Sequence, residues 1–313
     1  MKKYLTIGIG LCALIAGLGV YGGANLWADA ATPVIPHIAK APNFEDLKIM
    51  PHKALYKIEM ISKRSSAQVL NISGDMYFEW KPGCDAWTTD HRFNLLYEYA
   101  DSPPMRITSD FATYERFNAE SFSFNSRRRR DGELYEELRG QATLAPGEGG
   151  EAIYTRPEDL KFDLPPGTLF PMAHTVSVLK AAREGKKMFI ATIFDGSDDE
   201  GPAEVTAFIG KPVNAMARIT PDAAIDTELL NSPAWQVRLA FFPLSSPESD
   251  SDYEMDVVLH DNGVISDMVV DYKDFSVTQK LIGLEPLPAV SCAQRPPAAT
   301  GKRKGHDQDR LKP

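Results

Sequence analysis

The sequence predicts an all-β, single-domain fold, and three observations carry that prediction. Most of the chain reads as short runs of β-branched and aromatic residues. The clearest, Phe93-x-Leu95-x-Tyr97-x-Tyr99, alternates with the period of two expected of a half-buried strand. Turn signals separate these runs, above all Asp131-Gly132 and Asp261-Asn262-Gly263. One segment alone reads as a substantial helix, and no long linker divides the chain.

The first thirty residues stand outside the fold. Lys2 and Lys3 precede an apolar, Gly/Ala-rich run from Tyr4 to Tyr21. Ala28-Asp29-Ala30 then places small residues at the −3 and −1 positions of a cleavage site. This is a secretory signal peptide, cleaved near Ala30. The rival is an uncleaved anchor, since the apolar run is nearly long enough to span a membrane; its glycines and the Ala-x-Ala site favour cleavage. Leu11 before Cys12 is not the small residue a lipoprotein signal requires. Export places the mature chain in the periplasm.

A Pro-rich lead-in follows (Pro33, Pro36, Pro42 and Pro51), with one helical turn expected near Phe44 to Ile49. Strands then run through Leu55 to Met60, Val69 to Trp80, Trp87 to Tyr99, Met105 to Phe117 and Phe122 to Arg130. Gly74 in the second run suggests a bulge or bend. After the Asp131-Gly132 turn, Leu134, Tyr135 and Leu138 carry the return strand, and Pro146 to Gly150 turns again. Leu164 to Pro171 is a proline-framed approach to the helix. Met172 to Glu184 places Val176, Leu179 and Ala182 at three-residue spacing, and Gly185 stops it, so the main helix is expected near 171–184. Strands resume at Met188 to Phe194, Val205 to Ile209 and Ala215 to Ile219. A short helix is expected within 221–232. Trp235 to Phe242, Tyr253 to Leu259, Val264 to Tyr272 and Phe275 to Leu284 complete a meander. Residues 31–292 thus form the body. Residues 293–313 are a basic, Pro/Ala-rich tail with the composition of a disordered segment.

The net charge is −9, although the tail is basic, so the body is strongly acidic. That sign argues against nucleic acid and against anionic lipid surfaces as partners. Of the three cysteines, cleavage removes Cys12. Cys84 and Cys292 remain, an even pair that reads as a disulfide in an exported protein. The bridge would close about 210 residues, for which the chain-entropy model gives roughly 5 kcal/mol as an upper bound. Two unrelated thiols are the alternative.

Few constellations suggest chemistry. Ser177-Val-Leu-Lys180 matches the Ser-x-x-Lys pattern but lacks the partner motifs Ser-Asp-Asn and Lys-Thr-Gly. The acidic loop 195–200 could offer oxygens to a cation. It lacks an EF-hand register, and a solvated turn is the preferred reading. Arg127 to Arg130 would alternate between sheet faces, with Glu133, Glu136 and Glu137 as cross-strand partners rather than forming an anion patch. No histidine pair has metal-ligand spacing. His174 opens the helix, where a backbone hydrogen bond is the ordinary explanation. Trp80, Trp87, Tyr97, Phe111, Phe241 and Phe242 are expected to fill a core, though an incompletely closed sheet could wrap an apolar cavity.

Several segments together carry a resemblance. They are Pro51-His52-Lys53-Ala54-x-Tyr56, Tyr77-x-Glu79-Trp80 and Cys84-Asp85-x-Trp87-Thr88-Thr89. Next come Leu164-Pro-x-Gly167-Thr-Leu-Phe-Pro171, Ala173-His174-Thr175, Phe194-Asp195-Gly196-Ser197 and Trp235 to Phe242. Tyr253-Glu254, Asn262-Gly263-Val264, Asp271-Tyr272 and Cys292 complete the set. Over about 50–292 the chain resembles the envelope integrity protein B family, periplasmic proteins of Gram-negative bacteria. Lys53 departs from the arginine of the family pattern, and the basic tail has no counterpart in it.

The resemblance implies a monomeric antiparallel β-spiral, an open half-barrel likened to periplasmic lipoprotein carriers, with the cysteines bridged. It also implies a non-enzymatic role in envelope integrity. The partner would be a periplasmic protein, another envelope component, or a lipid or lipoprotein, and no cofactor or metal is implied. Trp80, Asp85, Trp87, His174 and Asp195 are the candidate binding residues. Two other functions remain as alternatives: a lipid or lipoprotein carrier, and a hydrolase of envelope polymers built on His174, Asp195 or Ser177.

Overall fold

The computed structural model describes residues 49–288 apart from 66, 220–223 and 246–249. The signal peptide, most of the lead-in with its expected helical turn, Cys292 and the basic tail lie outside the described residues. Eight strands come first: β1 (His52–Lys63), β2 (Val69–Pro82), β3 (Ala86–Tyr99), β4 (Met105–Arg116), β5 (Ser121–Arg130), β6 (Glu133–Ala145), β7 (Gly149–Arg156) and β8 (Lys161–Leu164). The helix α1 (Pro171–Arg183) follows. The chain then continues through β9 (Met188–Ile193), β10 (Ala203–Pro212), β11 (Ala234–Pro243), β12 (Tyr253–His260), β13 (Ile265–Tyr272) and β14 (Phe275–Pro286).

All these strands join one antiparallel sheet in the order β8-β7-β6-β5-β4-β3-β2-β1-β14-β13-β12-β11-β10-β9. The chain meanders outward from β1 to one edge, crosses through α1, and meanders back from the other edge to β14. First and last strands pair at the centre, with His52 opposite Pro286 on one side and Trp80 on the other. The sheet is open, with β8 and β9 as its edges.

The open sheet coils rather than lying flat. Bulges interrupt the ladders at Leu55/Tyr56, Met60/Ser62, Arg128/Arg129 and Ile209/Pro212, and each raises the local twist. Gly74 differs from the expected bulge, because the register runs through it unbroken. A Cβ there would sit 2.0 Å from the Asn94 carbonyl oxygen, so Gly74 permits close approach of two strands. Coiling brings the loop after β9 against the opposite arm. Arg128 Nη2 on β5 donates to the Ser197 carbonyl at 2.6 Å, and the Tyr154 hydroxyl on β7 donates to the Asp198 carbonyl at 2.6 Å. Phe194 and Phe170 enter a second core with Phe122, Phe124 and Tyr154, and the Phe170 and Phe122 rings stack at 5.0 Å.

The Asp131-Gly132 turn joins β5 to β6 with φ of 52° and 90°, the geometry of a two-residue hairpin loop. Two strands, β7 and β8, fall where the sequence reading had none; Tyr154 is buried beside an exposed Ile153. Ala215–Arg218, expected as a strand, is a single 3-10 turn, and Thr227–Leu230 is another. The helix is apolar almost all round: Met172, Ala173, Val176, Val178, Leu179, Ala181 and Ala182 are all buried. A helix with that pattern belongs inside a protein, and here it lies within the coil of the sheet.

Candidate functional site: an apolar cavity on the concave face

Strands β2, β3 and β4 lay three cross-strand rows on the concave face. Phe78, His91 and Phe111 form the first, with ring centroids 4.7 Å and 5.9 Å apart along the row. Trp80, Thr89 and Thr113 form the second, and the two threonine hydroxyls lie 2.5 Å apart. Trp87 and Glu115 form the third. The alternation of a pleated strand makes these rows: residues two apart on β3 share a face.

Helix α1 docks onto the third row. Its N-cap, Phe170, has no side-chain cap of its own, and Pro171 occupies the first helical position. The orphan amides of Met172 and Ala173 donate instead to the two carboxylate oxygens of Glu115, at 2.8 Å and 2.9 Å. Glu115 is almost completely buried. Burial outweighs the two amide hydrogen bonds and raises its pKa to about 8.

Between these rows and the opposite strands lies a cavity of about 210 Å³. Its far wall is apolar and sulfur-rich, including Phe241, Met255, Val257, Met268 and Val270 from β11 to β13. Pro171, Met172, His174 and Thr175 of α1 supply one end. No lysine or arginine is among the described residues that line it. Burial lowers the pKa of His91 and of His174 to about 4, so both rings are neutral at neutral pH.

The structure brings three sequence-nominated residues to this cavity: Trp80, His174 and Asp195. It does not bring Asp85 or Trp87. Asp85 is exposed in the β2–β3 turn, where it accepts hydrogen bonds from Tyr114 at 2.7 Å and Arg116 at 3.3 Å. Trp87 packs between Trp80 and Phe117, at 5.7 Å and 5.8 Å. His174 lacks the expected backbone bond at one nitrogen: its Nε2 is buried and has no partner among the described residues. Ser177 Oγ donates to the Ala173 carbonyl at 2.7 Å and does not line the cavity.

Loop 195–200 is not the solvated turn expected. Asp195 Oδ1 accepts from Ser197 N at 2.9 Å and from Ser197 Oγ at 2.5 Å, and Gly196 lies against the Phe124 ring. Among the described residues no group of three or more His, Cys, Asp or Glu is placed to hold a metal ion. No helix there is long and apolar enough to cross a membrane. Two arginines of the run pair with glutamates of the returning strand as expected, Arg127 with Glu137 at 2.9 Å and Arg128 with Glu136, whereas Arg129 pairs with Asp110 on β4 at 3.2 Å. His52 is buried, with Nδ1 2.8 Å from the Met50 carbonyl oxygen, and packs against Phe78 and Trp80. Cys84 is in a disulfide.

Sequence reasoning missed Glu115, His91, Thr89 and Thr113. Their rows alternate correctly on β3 and β4, but no local pattern announces which face coils inward.

Comparison with known proteins agrees with this architecture. The family model described as EipB-like matches residues 44–288. The chain belongs to the EipB-like family. Within that family it is 27% identical over 243 residues to a protein of Brucella abortus named cell envelope integrity protein EipB, covering 76% of this chain and 85% of the relative. A crystal structure from the same organism, titled a beta-barrel-like protein of a domain of unknown function, superposes with a TM-score of 0.71. That match has 26% identity and covers 77% of this chain and all of the other. In the described residues of this chain, the fold is an open antiparallel sheet coiled around the helix α1.

Proposed function

We propose that this chain supports cell-envelope integrity from the periplasm as a non-catalytic protein, and that it does so by holding an apolar ligand in the concave cavity. The cavity carries this reading. Rings, methionines and branched aliphatics wall about 210 Å³ of space that the core does not fill. The EipB-like relative, named for envelope integrity, supports the envelope role.

The reading also pairs Cys84 with Cys292. Cys84 follows the end of β2, and β14 ends one strand away, since Trp80 and Pro286 both face His52. Six further residues of extended chain reach roughly 20 Å, which is ample.

Native mass spectrometry of protein purified from periplasm tests the ligand. We expect a bound species that detergent washing removes; protein that carries nothing, and takes up nothing when offered envelope lipid extracts, rejects the reading. A deletion strain should be sensitised to detergents and cell-wall antibiotics. A lipid or lipoprotein carrier is the second reading, favoured by the open sheet, and predicts transfer of that ligand between vesicles. Hydrolysis of envelope polymers is disfavoured because Ser177 does not line the cavity shared by His174 and Asp195.

A further inference from the structure

The cavity is apolar but not uniformly so: Thr89, His91 and Thr113 place hydrogen-bonding groups on its lining. Thr89 and Thr113 hydrogen-bond to each other at 2.5 Å, which uses one of their two hydroxyl protons and leaves the other to donate. His91 sits one row along, held between the Phe78 and Phe111 rings, with no hydrogen-bond partner among the described residues. A neutral imidazole offers one donor and one acceptor. These three side chains share the inward face of adjacent strands, so they form a single neutral patch with both donors and acceptors. Among the described residues the only carboxylic acids on the lining are Glu115 and Asp195, and none of the described lining residues is a lysine or arginine. Burying a phosphate or carboxylate here would leave it without a counter-charge, a heavy cost in a low-dielectric site.

Size narrows the class further. A cavity of about 150 Å³ takes a benzene-sized molecule. The space of about 210 Å³ here therefore suits a segment of roughly eight heavy atoms by the same scale, not two acyl chains.

We propose that the cavity selects a single-chain, uncharged amphiphile whose hydroxyl or amide group hydrogen-bonds to the Thr89/Thr113/His91 patch, and that it rejects anionic headgroups. This rests on the apolar-ligand reading above and adds to it the chemistry of the head.

One displacement assay separates the two. 1-Bromodecane bound in the cavity quenches the fluorescence of Trp80, and 1-decanol, decanoate and decyl phosphate are then titrated as chain-matched competitors at pH 7.5. We expect decanol to displace the probe at a concentration at least tenfold below either anion. Equal or greater potency of decanoate or decyl phosphate overturns the inference and leaves the apolar-ligand reading standing. Absence of quenching by 1-bromodecane overturns both. Thr113→Val and His91→Phe keep the shape of the wall while removing hydrogen-bonding groups. Each should weaken decanol three- to tenfold and leave 1-bromodecane unchanged; an unaltered decanol affinity in both removes the patch as the anchor. The comparison of heads on the unsubstituted protein decides selectivity even if a variant fails to fold.

Discussion

Glu115 sits at one end of the cavity and caps a helix 57 residues away in sequence. Its folded pKa of about 8 lies above the ordinary glutamate value of 4.5. The folded state therefore holds a proton that the unfolded state has lost between those pH values. Stability from this residue is complete below about pH 4.5, falls as pH rises toward 8, and is level above that, at about 1.4 kcal/mol per pH unit as an upper limit. Glu115→Gln should cancel this slope. Urea denaturation is expected to show the variant gaining a few kcal/mol relative to wild type between pH 5 and pH 8.5; a difference flat in pH would mean that the carboxylate is ionised throughout. The histidines act in the opposite sense. His91, His174 and His260 have pKa values lowered to about 4 from 6.5. Their contribution is present above pH 6.5 and is lost as pH falls toward 4. Proton NMR should show their ring signals unmoved between pH 8 and pH 5.5, whereas movement near pH 6.5 would place those rings in water.

At the scale of elements, the informative contact is the closure of the coil. The Leu164–Pro171 approach and the loop after β9 share it. Thr168 folds back onto the Pro165 carbonyl at 2.7 Å, Leu169 bridges to Ile193, and Phe170 and Phe194 plug the second core. Two of the motifs that carry the family resemblance thus serve closure. Arg128 is its electrostatic pin, buried and bound to both Glu136 and the Ser197 carbonyl. Arg128→Met removes the charge but strands Glu136, and breaking a buried pair from one side costs about 3–5 kcal/mol. Chemical denaturation of Arg128→Met should show that loss, and Arg128→Met with Glu136→Leu should recover much of it. A double variant no more stable than the single one would mean that the pair does not act as a unit.

For the whole molecule, the pairing of β1 with β14 makes one sheet of two meanders that meet where the first and last described strands pair. A bridge from Cys84 to Cys292 would staple that central junction. We expect Cys84→Ser to lower stability by about 2–5 kcal/mol, the usual cost of losing a native disulfide, and to leave the near-UV circular dichroism of the cavity aromatics unchanged at room temperature. A thiol-reactive mass tag provides the direct check. It should label two cysteines of the mature protein only after reduction, and free labelling without reductant would refute the pairing.

Strand content, most hairpins and the helix α1 are legible in the chain because they depend on short-range patterns. Alternation in Phe93 to Tyr99, the Asp131-Gly132 turn and the Pro171-to-Gly185 frame each act within a few residues. The resemblance added the open spiral. Where local pattern was weak, as in β7, β8 and the Ala215–Arg218 turn, the reading failed. What only the tertiary structure decided is which face of the sheet coils inward and what meets there. Glu115 beneath the helix, His91 between two phenylalanines and the paired threonines are ordinary strand residues in the sequence. They become a site because bulges and the closing contacts near Arg128 curl the sheet. The partners in that closure lie far apart in the chain, so no window of sequence contains them both.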